Sequence, residues 1–374
     1  MKTNRLQVSF IGTLVAVALV MLMLASACSS PIVSPKAAPQ PTTATTSAST
    51  TATADANALT LKFSVQLVDR QGAAQDSLRK YADQIDVQTQ GRVKLKIFWN
   101  AVLGKVQDTL KFVGQSNVAD GAFVVTTYHQ WEIPLTAAAG LPFFTTGYRV
   151  GYKATQSLYN EWPAMQDEWA KANMIPVLFF QPHEHWMGIT VPIKSMDDLK
   201  GKKMWVGGFW PDLITQFGVG SIPLSTPEAY EGLQKGLIMG IINPYQTFRD
   251  SKFAEFTKYM VKWPFGGQPV NAFAFNRDVW KKISPADQKT ILAISAQVPE
   301  WMIAAQDVEV AELDKYFKDQ GCQTIDLGAA EYARIASIGK PAIFNPWLAT
   351  AKEKGVPGQE FIDRYTAKVK ELSK

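Results

Sequence analysis

Cysteine and histidine are scarce in this chain of 374 residues, which contains two cysteines and three histidines. His183 and His185 are two positions apart, so on a strand both rings would face one side and could in principle hold a metal. No cysteine lies near this pair, and no histidines have the spacing of a helical zinc site. We therefore expect neither a metal site nor another cofactor.

Long runs of like charge are also missing. The chain has 38 Lys and Arg against 33 Asp and Glu, a net charge of +5, and no block of five like charges. This excludes the strongly basic surface that binds nucleic acid, and we expect no nucleic-acid partner. The composition, 47% hydrophobic and 19% charged, is typical of a soluble globular protein.

Catalytic motifs are not visible either, since the chain has no nucleophile elbow, no phosphate-binding glycine loop and no internal repeat. The paired acids Asp197 and Asp198 are typical of a turn before a helix rather than of an acid–base pair. We predict that the protein is not an enzyme. A surface enzyme that uses His183 and His185 stays open as an alternative.

The N-terminus has the arrangement of a secretory leader. Lys2 and Arg5 precede an apolar run over residues 8–24, and small residues then lead to Cys28. This end resembles the bacterial lipobox, although alanine stands at 25, where leucine is commoner. We predict a signal peptide over residues 1–28 and a lipid on Cys28 that tethers the protein to membrane lipid without spanning the bilayer. An uncleaved anchor helix is the alternative.

Residues 29–58 consist mainly of Pro, Thr, Ala and Ser, which cannot bury enough surface to fold. We predict a disordered linker there. The other cysteine, Cys322, cannot form an intramolecular disulfide if Cys28 carries lipid. We interpret Cys322 as a small apolar residue.

The remaining residues, about 315, are more than one compact core usually holds, so we expect two lobes. Strands and helices alternate at the start of this body, which favours a parallel sheet with right-handed crossovers. Apolar and polar alternation predicts strands over 59–66, 93–99 and 118–125, with helices over 74–85 and 106–113 between them.

Further along, a capping box begins with Ser225 and ends with Glu228, which predicts the start of a helix. An apolar pattern from 284 to 321 predicts a helix on the order of 50 Å long, kinked by Pro299 and able to run along both lobes. The patterns also predict strands over 175–180, 203–206, 238–242 and 271–276 and helices over 152–173, 253–260, 329–337 and 344–354, the last two packed on the second lobe.

Three motifs carry a resemblance to a known family. They are "DDLKGKKMW" over 197–205, "PEAYEGLQKG" over 227–236 and "GIINP" over 240–244, preceded by "LPF" at 141–143. Their order and spacing resemble those of the solute-binding proteins of tripartite ATP-independent periplasmic (TRAP) transporters. The resemblance extends in register from about Leu59 to the C-terminus.

This resemblance implies a two-lobed α/β fold of the periplasmic-binding-protein kind, with a mixed sheet flanked by helices in each lobe and a long helix spanning both. It places residues 59–182 and about 272–312 in the first lobe, and 183–271 and about 313–374 in the second. It also implies an extracytoplasmic protein that captures a small organic solute between the lobes. Integral-membrane TRAP permease subunits, driven by an ion gradient, would receive the solute. A ligand sensor of the same fold is the alternative.

The resemblance also implies ligand contacts at particular positions. Where the family has a carboxylate-binding arginine, this chain has Trp205, whose indole face repels an anion. A second basic position corresponds to His185, and the family's ligand-contacting asparagine corresponds to Asn243. Gln66 and Asn271 correspond to polar residues at a strand end and at the crossing between lobes. Because the arginine is replaced, a carboxylate ligand is in doubt, and an aromatic compound, a quaternary amine, a polyol or an amide stays possible.

Tyr128 and Trp131 follow the third predicted strand, where ligand-facing loops lie in open α/β sheets. We thus predict a cleft whose members are Gln66, Tyr128, Trp131, His185, Trp186, Trp205, Asn243, Tyr245 and Asn271. For Trp131 and Trp186 a place in a lobe core is the alternative. We interpret His129 and His183 as surface or loop residues, and the Asn243–Pro244 step as part of the hinge.

Overall fold

The computed structural model describes residues 58–145 and 147–374. The predicted signal peptide, Cys28 and residues 29–57 of the predicted linker lie outside this part of the chain.

The described residues form eleven strands and thirteen α-helices. The strands are β1 Leu59–Ser64, β2 Val93–Phe98, β3 Gly121–Val125, β4 Met174–Phe180, β5 His185–Ile189, β6 Lys203–Val206, β7 Gly220–Ser221, β8 Gly240–Pro244, β9 Tyr259–Lys262, β10 Asn271–Asn276 and β11 Gln323–Ile325. The helices are α1 Ala73–Gln88, α2 Thr109–Gly114, α3 Pro134–Ala138, α4 Tyr148–Glu161, α5 Pro163–Lys171, α6 Trp210–Ile214, α7 Thr226–Gln234, α8 Thr247–Asp250, α9 Arg277–Trp280, α10 Pro285–Ser295, α11 Val298–Asp319, α12 Gly328–Glu353 and α13 Gly358–Leu372. Short 3-10 turns cover Val106–Asp108, Thr126–His129, Met196–Leu199, Thr215–Phe217 and Phe253–Glu255.

The first lobe is built on a mixed five-stranded sheet with the order β2-β1-β3-β10-β4. β1 runs parallel to β2 and β3, while β10 runs antiparallel to both β3 and β4. All six residues of β10 are buried, and Phe273 lies opposite Phe123 and Leu178. The alternation of apolar residues therefore places one aromatic cluster under the centre of this sheet.

The second lobe carries a mixed six-stranded sheet with the order β11-β9-β5-β8-β6-β7. β5 is antiparallel to β8 and β9, whereas β6 is parallel to β8. The predicted capping box starts α7, because the main-chain N–H of Ser225 donates to the Glu228 carboxylate over 2.7 Å.

Helix α11 belongs to both lobes. Val298 and Met302 pack into the core of the first lobe, while Leu313 and Phe317 pack into a core of the second. At 1.5 Å per residue its 22 residues span about 33 Å. The predicted two-lobed α/β fold, with a mixed sheet in each lobe and a long helix spanning both, is confirmed.

The long helix is nevertheless shorter than predicted. The chain breaks between α10 and α11, and Pro299 stands in the first turn of α11 instead of kinking a continuous helix. This position suits proline because the first N–H groups of a helix have no partner within it.

The predicted helix over 253–260 is wrong. Only Phe253–Glu255 makes a helical turn, and β9 follows it. Met260 and Val261 are completely buried beside β5, where Val261 lies opposite Met187. Pairing with a central strand therefore outweighs the local helical pattern.

The C-terminal helices also differ from the prediction. One helix, α12, replaces the two predicted ones, with Pro341 and Pro346 inside it. The last helix, α13, packs against α4 of the first lobe, where the Tyr365 hydroxyl donates to the Gly151 carbonyl over 3.0 Å. The prediction that all of residues 313–374 pack on the second lobe is therefore wrong for α13.

The predicted hinge step is also wrong, because Asn243 and Pro244 lie inside the second sheet, opposite Trp186 and His185. The chain passes between the sheets at residues 181–184 and 263–270 instead.

No helix among the described residues is both long enough and apolar enough to cross a membrane.

His185, the first residue of β5, is buried, and its ring lies edge-on to Trp210 with centroids 5.6 Å apart. Burial lowers the pKa of His185 from 6.5 to about 4, and the main chain of Gly266 opposes this shift only in part. At neutral pH this imidazole is therefore uncharged.

This burial predicts a pH-dependent stability. Between pH 6.5 and about 4 the unfolded chain binds a proton at His185 that the folded chain does not. His185 should therefore contribute a fall of about 1.4 kcal/mol per pH unit to the free energy of unfolding as the pH drops through this range. Glu168, whose pKa burial raises to about 7, contributes with the opposite sign whether or not His185 is present. Urea unfolding at several pH values measures the slope, which should become smaller in His185→Gln. The buried His129 is present in the wild type and in His185→Gln, so its contribution to the slope is the same in both. Equal slopes in the two proteins would contradict the prediction.

Candidate ligand-binding site

Two sheet edges meet between the lobes. At the first-lobe edge, Gln66 follows β1 and lies near the end of β4 and the beginning of β10, because β10 runs antiparallel to its neighbours. At the second-lobe edge, His183 precedes β5 and Gln246 follows β8. A cavity of about 250 Å³ lies between the two edges, closed on one side by α11. Open α/β sheets bind ligands at this edge.

Amide side chains dominate the polar lining of this interlobe cavity. They are Gln66, Gln75, Gln246, Asn271 and Gln306. The side-chain oxygens of Gln246, Asn271 and Gln306 are buried and have no hydrogen-bond donor within the described part of the chain. A buried acceptor without a donor is costly, so these three oxygens favour a ligand that brings N–H or O–H groups.

The first turn of α1 also lines the cavity, through Ala73, Ala74 and Gln75. No side chain caps this end of the helix. The first N–H groups of a helix carry partial positive charge and lack helical partners, so they favour an acceptor oxygen on the ligand. The cavity thus offers positions for both donors and acceptors.

The charged groups beside the cavity are bonded to each other in an alternating chain. Arg70 binds Asp250 over 2.6 Å, and Asp250 also receives a bond from Arg249 over 3.0 Å. Arg249 then binds Glu309 over 2.7 Å, and Glu309 meets the Nε2 of His183 at 2.8 Å. Each positive group is therefore already matched by a carboxylate.

Glu309, on α11, is the centre of this chain of charges. Burial by itself would raise the pKa of Glu309, but hydrogen bonds from His183 and Arg249, and their charges, outweigh it and bring the pKa to about 2. Glu309 is thus ionised at neutral pH and holds both neighbours in place.

The structure brings two of the predicted site residues to this cavity, Gln66 and Asn271. Asn271 is buried as the first residue of β10, between Val125 and Phe180 on the neighbouring strands.

Tyr128 and Trp131 lie elsewhere. Tyr128 is 51% exposed and is not among the described residues that line the interlobe cavity. Trp131 packs against the first-lobe core, with the Lys354 ammonium 5.3 Å from its ring centroid. Tyr128 belongs to the 3-10 turn Thr126–His129 that follows β3, and Trp131 comes two residues after this turn.

Trp205 and Asn243 are also outside the lining of the interlobe cavity. Trp205 is partly buried in a core of the second lobe and lies edge-on to Phe253, with ring centroids 5.8 Å apart. Asn243 lies on the same face of the sheet, opposite Trp186. The strand β6 therefore supplies no cation at the position where the resemblance implies an arginine.

Trp186 and Tyr245 line a different cavity, and His185 packs against Trp210 as described above. The interpretation of His129 and His183 as surface or loop residues is wrong with respect to exposure, since their side chains are 1% and 4% exposed. Within residues 58–145 and 147–374, no three His, Cys, Asp or Glu side chains are placed to hold a metal ion.

Several residues of the site were not predicted, above all Arg70, Gln246, Gln306 and Glu309. Gln306 and Glu309 lie three positions apart on α11, and polar residues at this spacing inside an apolar helical pattern are a signal that the sequence does offer. Arg70 and Gln246 lie in loops, where no periodicity distinguishes them.

The chain matches the family model of the bacterial extracellular solute-binding proteins, family 7 (DctP), over residues 67–345, which is well over half of its length. Among curated proteins, a solute-binding protein of Roseobacter denitrificans is 24% identical over 289 residues, which cover 75% of this chain and 86% of the relative.

Solved structures show the same fold. A TRAP periplasmic solute-binding protein from Desulfovibrio salexigens superposes with a TM-score of 0.76 at 21% identity, covering 84% of this chain and 95% of that one. A second one from the same species, crystallised with bound orotic acid, gives a TM-score of 0.70 at 22% identity and covers 84% and 99%. Family model and two-lobed fold agree, and the chain belongs to family 7 (DctP) of the bacterial extracellular solute-binding proteins.

Proposed function

We propose that the protein captures a small, uncharged, hydrogen-bonding solute in the interlobe cavity and delivers it to TRAP permease subunits in the membrane. The observation that carries this proposal is the row of buried amide oxygens without donors at Gln246, Asn271 and Gln306. A cavity of about 250 Å³ suits a solute smaller than a drug-sized ligand.

The choice of an uncharged solute follows from the charges at the cavity. A ligand carboxylate would have to compete with Asp250 for Arg70, and with Glu309 for Arg249. It would also bring acceptors only, and could not satisfy the amide oxygens. A carboxamide or a polyol brings donors for these oxygens and an acceptor for the first turn of α1. The related protein with bound orotic acid makes an acid the alternative ligand class.

The ligand class can be tested with pairs of acids and their isosteric amides, such as succinate with succinamide and lactate with lactamide, together with neutral sugars. We expect calorimetry to show binding of the uncharged members. At 100 times its dissociation constant, a ligand should stabilise the protein by about 2.7 kcal/mol in thermal unfolding. In Asn271→Leu the affinity should fall roughly tenfold because one buried hydrogen bond is lost.

The matched control is Asn160→Leu, at an exposed position on α4, which should bind as the wild type does. Binding of the acids but not of their amides would contradict the ligand class and leave the cavity as the site. Equal affinity of Asn271→Leu and wild type would contradict the cavity itself.

An ion pair between the two lobes favours their closure over the solute. Arg70 comes from the loop after β1 of the first lobe, and Asp250 ends α8 of the second, so their ion pair ties the lobes together. The side chain of Gln306 donates to the carbonyl of Gln181 over 3.2 Å, beside the same junction. A ligand that contacts both edges adds to these bonds and shifts the population towards the closed form.

We expect Arg70→Gln to open the ligand-free protein. Because the pair is partly exposed, the loss should be at most about 1 kcal/mol, which corresponds to an affinity up to about fivefold weaker. Small-angle X-ray scattering should show a larger radius of gyration, and the difference from the wild type should shrink at high salt. Lys235→Gln is the control, since it also removes one positive charge and Lys235 pairs with Glu231 within the second lobe. An unchanged scattering curve in Arg70→Gln would contradict the proposal that the Arg70–Asp250 ion pair holds the lobes together.

We further propose that Cys28 carries the lipid that anchors the protein at the outer face of the cell membrane, with residues 29–58 as the tether. The support is the leader-like sequence before Cys28. The protein should fractionate with membranes, and mass spectrometry should find an N-terminal peptide that begins at an acylated Cys28. In Cys28→Ser this acylation should be absent, and the protein should no longer fractionate with membranes. A mature chain that begins elsewhere, or an unmodified Cys28 in the membrane fraction, would contradict the anchor.

A further inference from the structure

A second and larger cavity, of about 510 Å³, lies beside the second sheet. Its wall contains three aromatic rings in a row. Trp186 stacks on Tyr245 with ring centroids 4.5 Å apart and planes 20° from parallel, and Tyr245 lies 4.8 Å from Phe317. Aromatic faces carry negative quadrupole charge, so such a wall attracts cations as well as apolar groups.

Two carboxylates line the same cavity. The hydroxyl of Tyr245 donates to the Asp314 carboxylate over 2.8 Å, which fixes this acid beside the rings. The Glu184 carboxylate, in contrast, makes no direct hydrogen bond or ion pair with its side-chain oxygens among residues 58–145 and 147–374. Burial raises its pKa, and the charges of His183 and Arg149 offset this only in part. A carboxylate that is partly removed from water without a partner is stabilised by any cation that reaches it.

The protein's own cations are bonded to other groups or lie at the rim. Arg149, whose charge acts on Glu184, is itself paired with Asp307. The Lys262 ammonium is bonded to Asp326 over 3.2 Å, and Lys318 extends from the exposed side of α11 at the rim. The Nε2 of His183, which also lines the cavity, is bonded to Glu309. Aromatic faces next to an unpaired carboxylate are the combination that recognises an organic ammonium group.

We propose that this cavity is a second binding site, which adjoins the interlobe cavity at His183, and that it takes a small organic cation. The ammonium group lies against Trp186 and is balanced by the Glu184 carboxylate, with Asp314 bonded to the Tyr245 hydroxyl in the same cavity. This explains why Trp186 and Tyr245, aromatic residues at the end of sheet strands, lie together outside the interlobe cavity.

The first test compares choline with 3,3-dimethylbutan-1-ol, which has the same shape but no charge. Calorimetry on the full chain should detect binding of choline, and the neutral analogue should bind at least about tenfold more weakly. Equal affinities would show a merely apolar groove and would overturn the proposal. No binding of choline or of tetramethylammonium would overturn it as well.

Cys322 reports on the bound cation, because this residue lines the same cavity and is only partly buried. Alkylation of Cys322, measured by peptide mass spectrometry so that Cys28 is counted separately, should become slower when choline is bound. Choline binding without protection of Cys322 would place the cation elsewhere and contradict the proposal.

The charge contribution is tested by the isosteric change Glu184→Gln, which should lower the affinity for choline about tenfold. At a choline concentration near the wild-type dissociation constant, the protection of Cys322 from alkylation should then be lost. Glu312→Gln is the matched control, since it removes the same charge from an exposed position on α11 that does not line the cavity. If Glu184→Gln fails to fold, Trp186→Leu provides the second variant, with the same expected loss. Unchanged choline affinity in a folded Glu184→Gln or Trp186→Leu variant would overturn the proposal.

Discussion

The return of β10 to the first sheet is the constraint on which the ligand-binding region depends. The chain leaves the first sheet after β4, builds most of the second sheet, and then pairs β10 between β3 and β4. Because all of β10 is buried, its position has little freedom. The two loop connections between the sheets, before β5 and after β9, are therefore held at both ends, and the strand ends of one lobe face those of the other.

Helix α11 is the second element that holds the two lobes together. Its N-terminal half packs in the first lobe and its C-terminal half in the second, so Gln306 and Glu309 lie where the two cores meet. Glu309 accepts bonds from Arg249 and His183, and its low pKa shows that these partners outweigh the loss of hydration. With the charges matched among themselves, amide groups and a helix N-terminus are the polar groups that we propose as contacts for the solute.

Sequence reasoning succeeded where a pattern repeats along one element. The alternation from Leu59 predicted β1, the capping box at Ser225 predicted the start of α7, and the motif order predicted the family. It failed where contact with a segment distant in the chain determines the secondary structure. The segment with Met260 and Val261 has a helical pattern, but it is a strand because β5 lies beside it. Gln66 and Asn271 were found because strand ends mark the sheet edge, whereas Arg70 and Gln246 lie in loops without such a mark.

The sequence by itself determined the class of the protein, its α/β composition and the strand ends from which the site is built, since these follow from local periodicity and from motif spacing. Only the tertiary structure decided the cavity in which each side chain lies. Trp186 and Tyr245 are close in sequence to Pro182 and Gln246, yet they line a different cavity. The reason is geometric: successive residues of a strand point to opposite faces, and which face meets the other lobe depends on how the sheets pack.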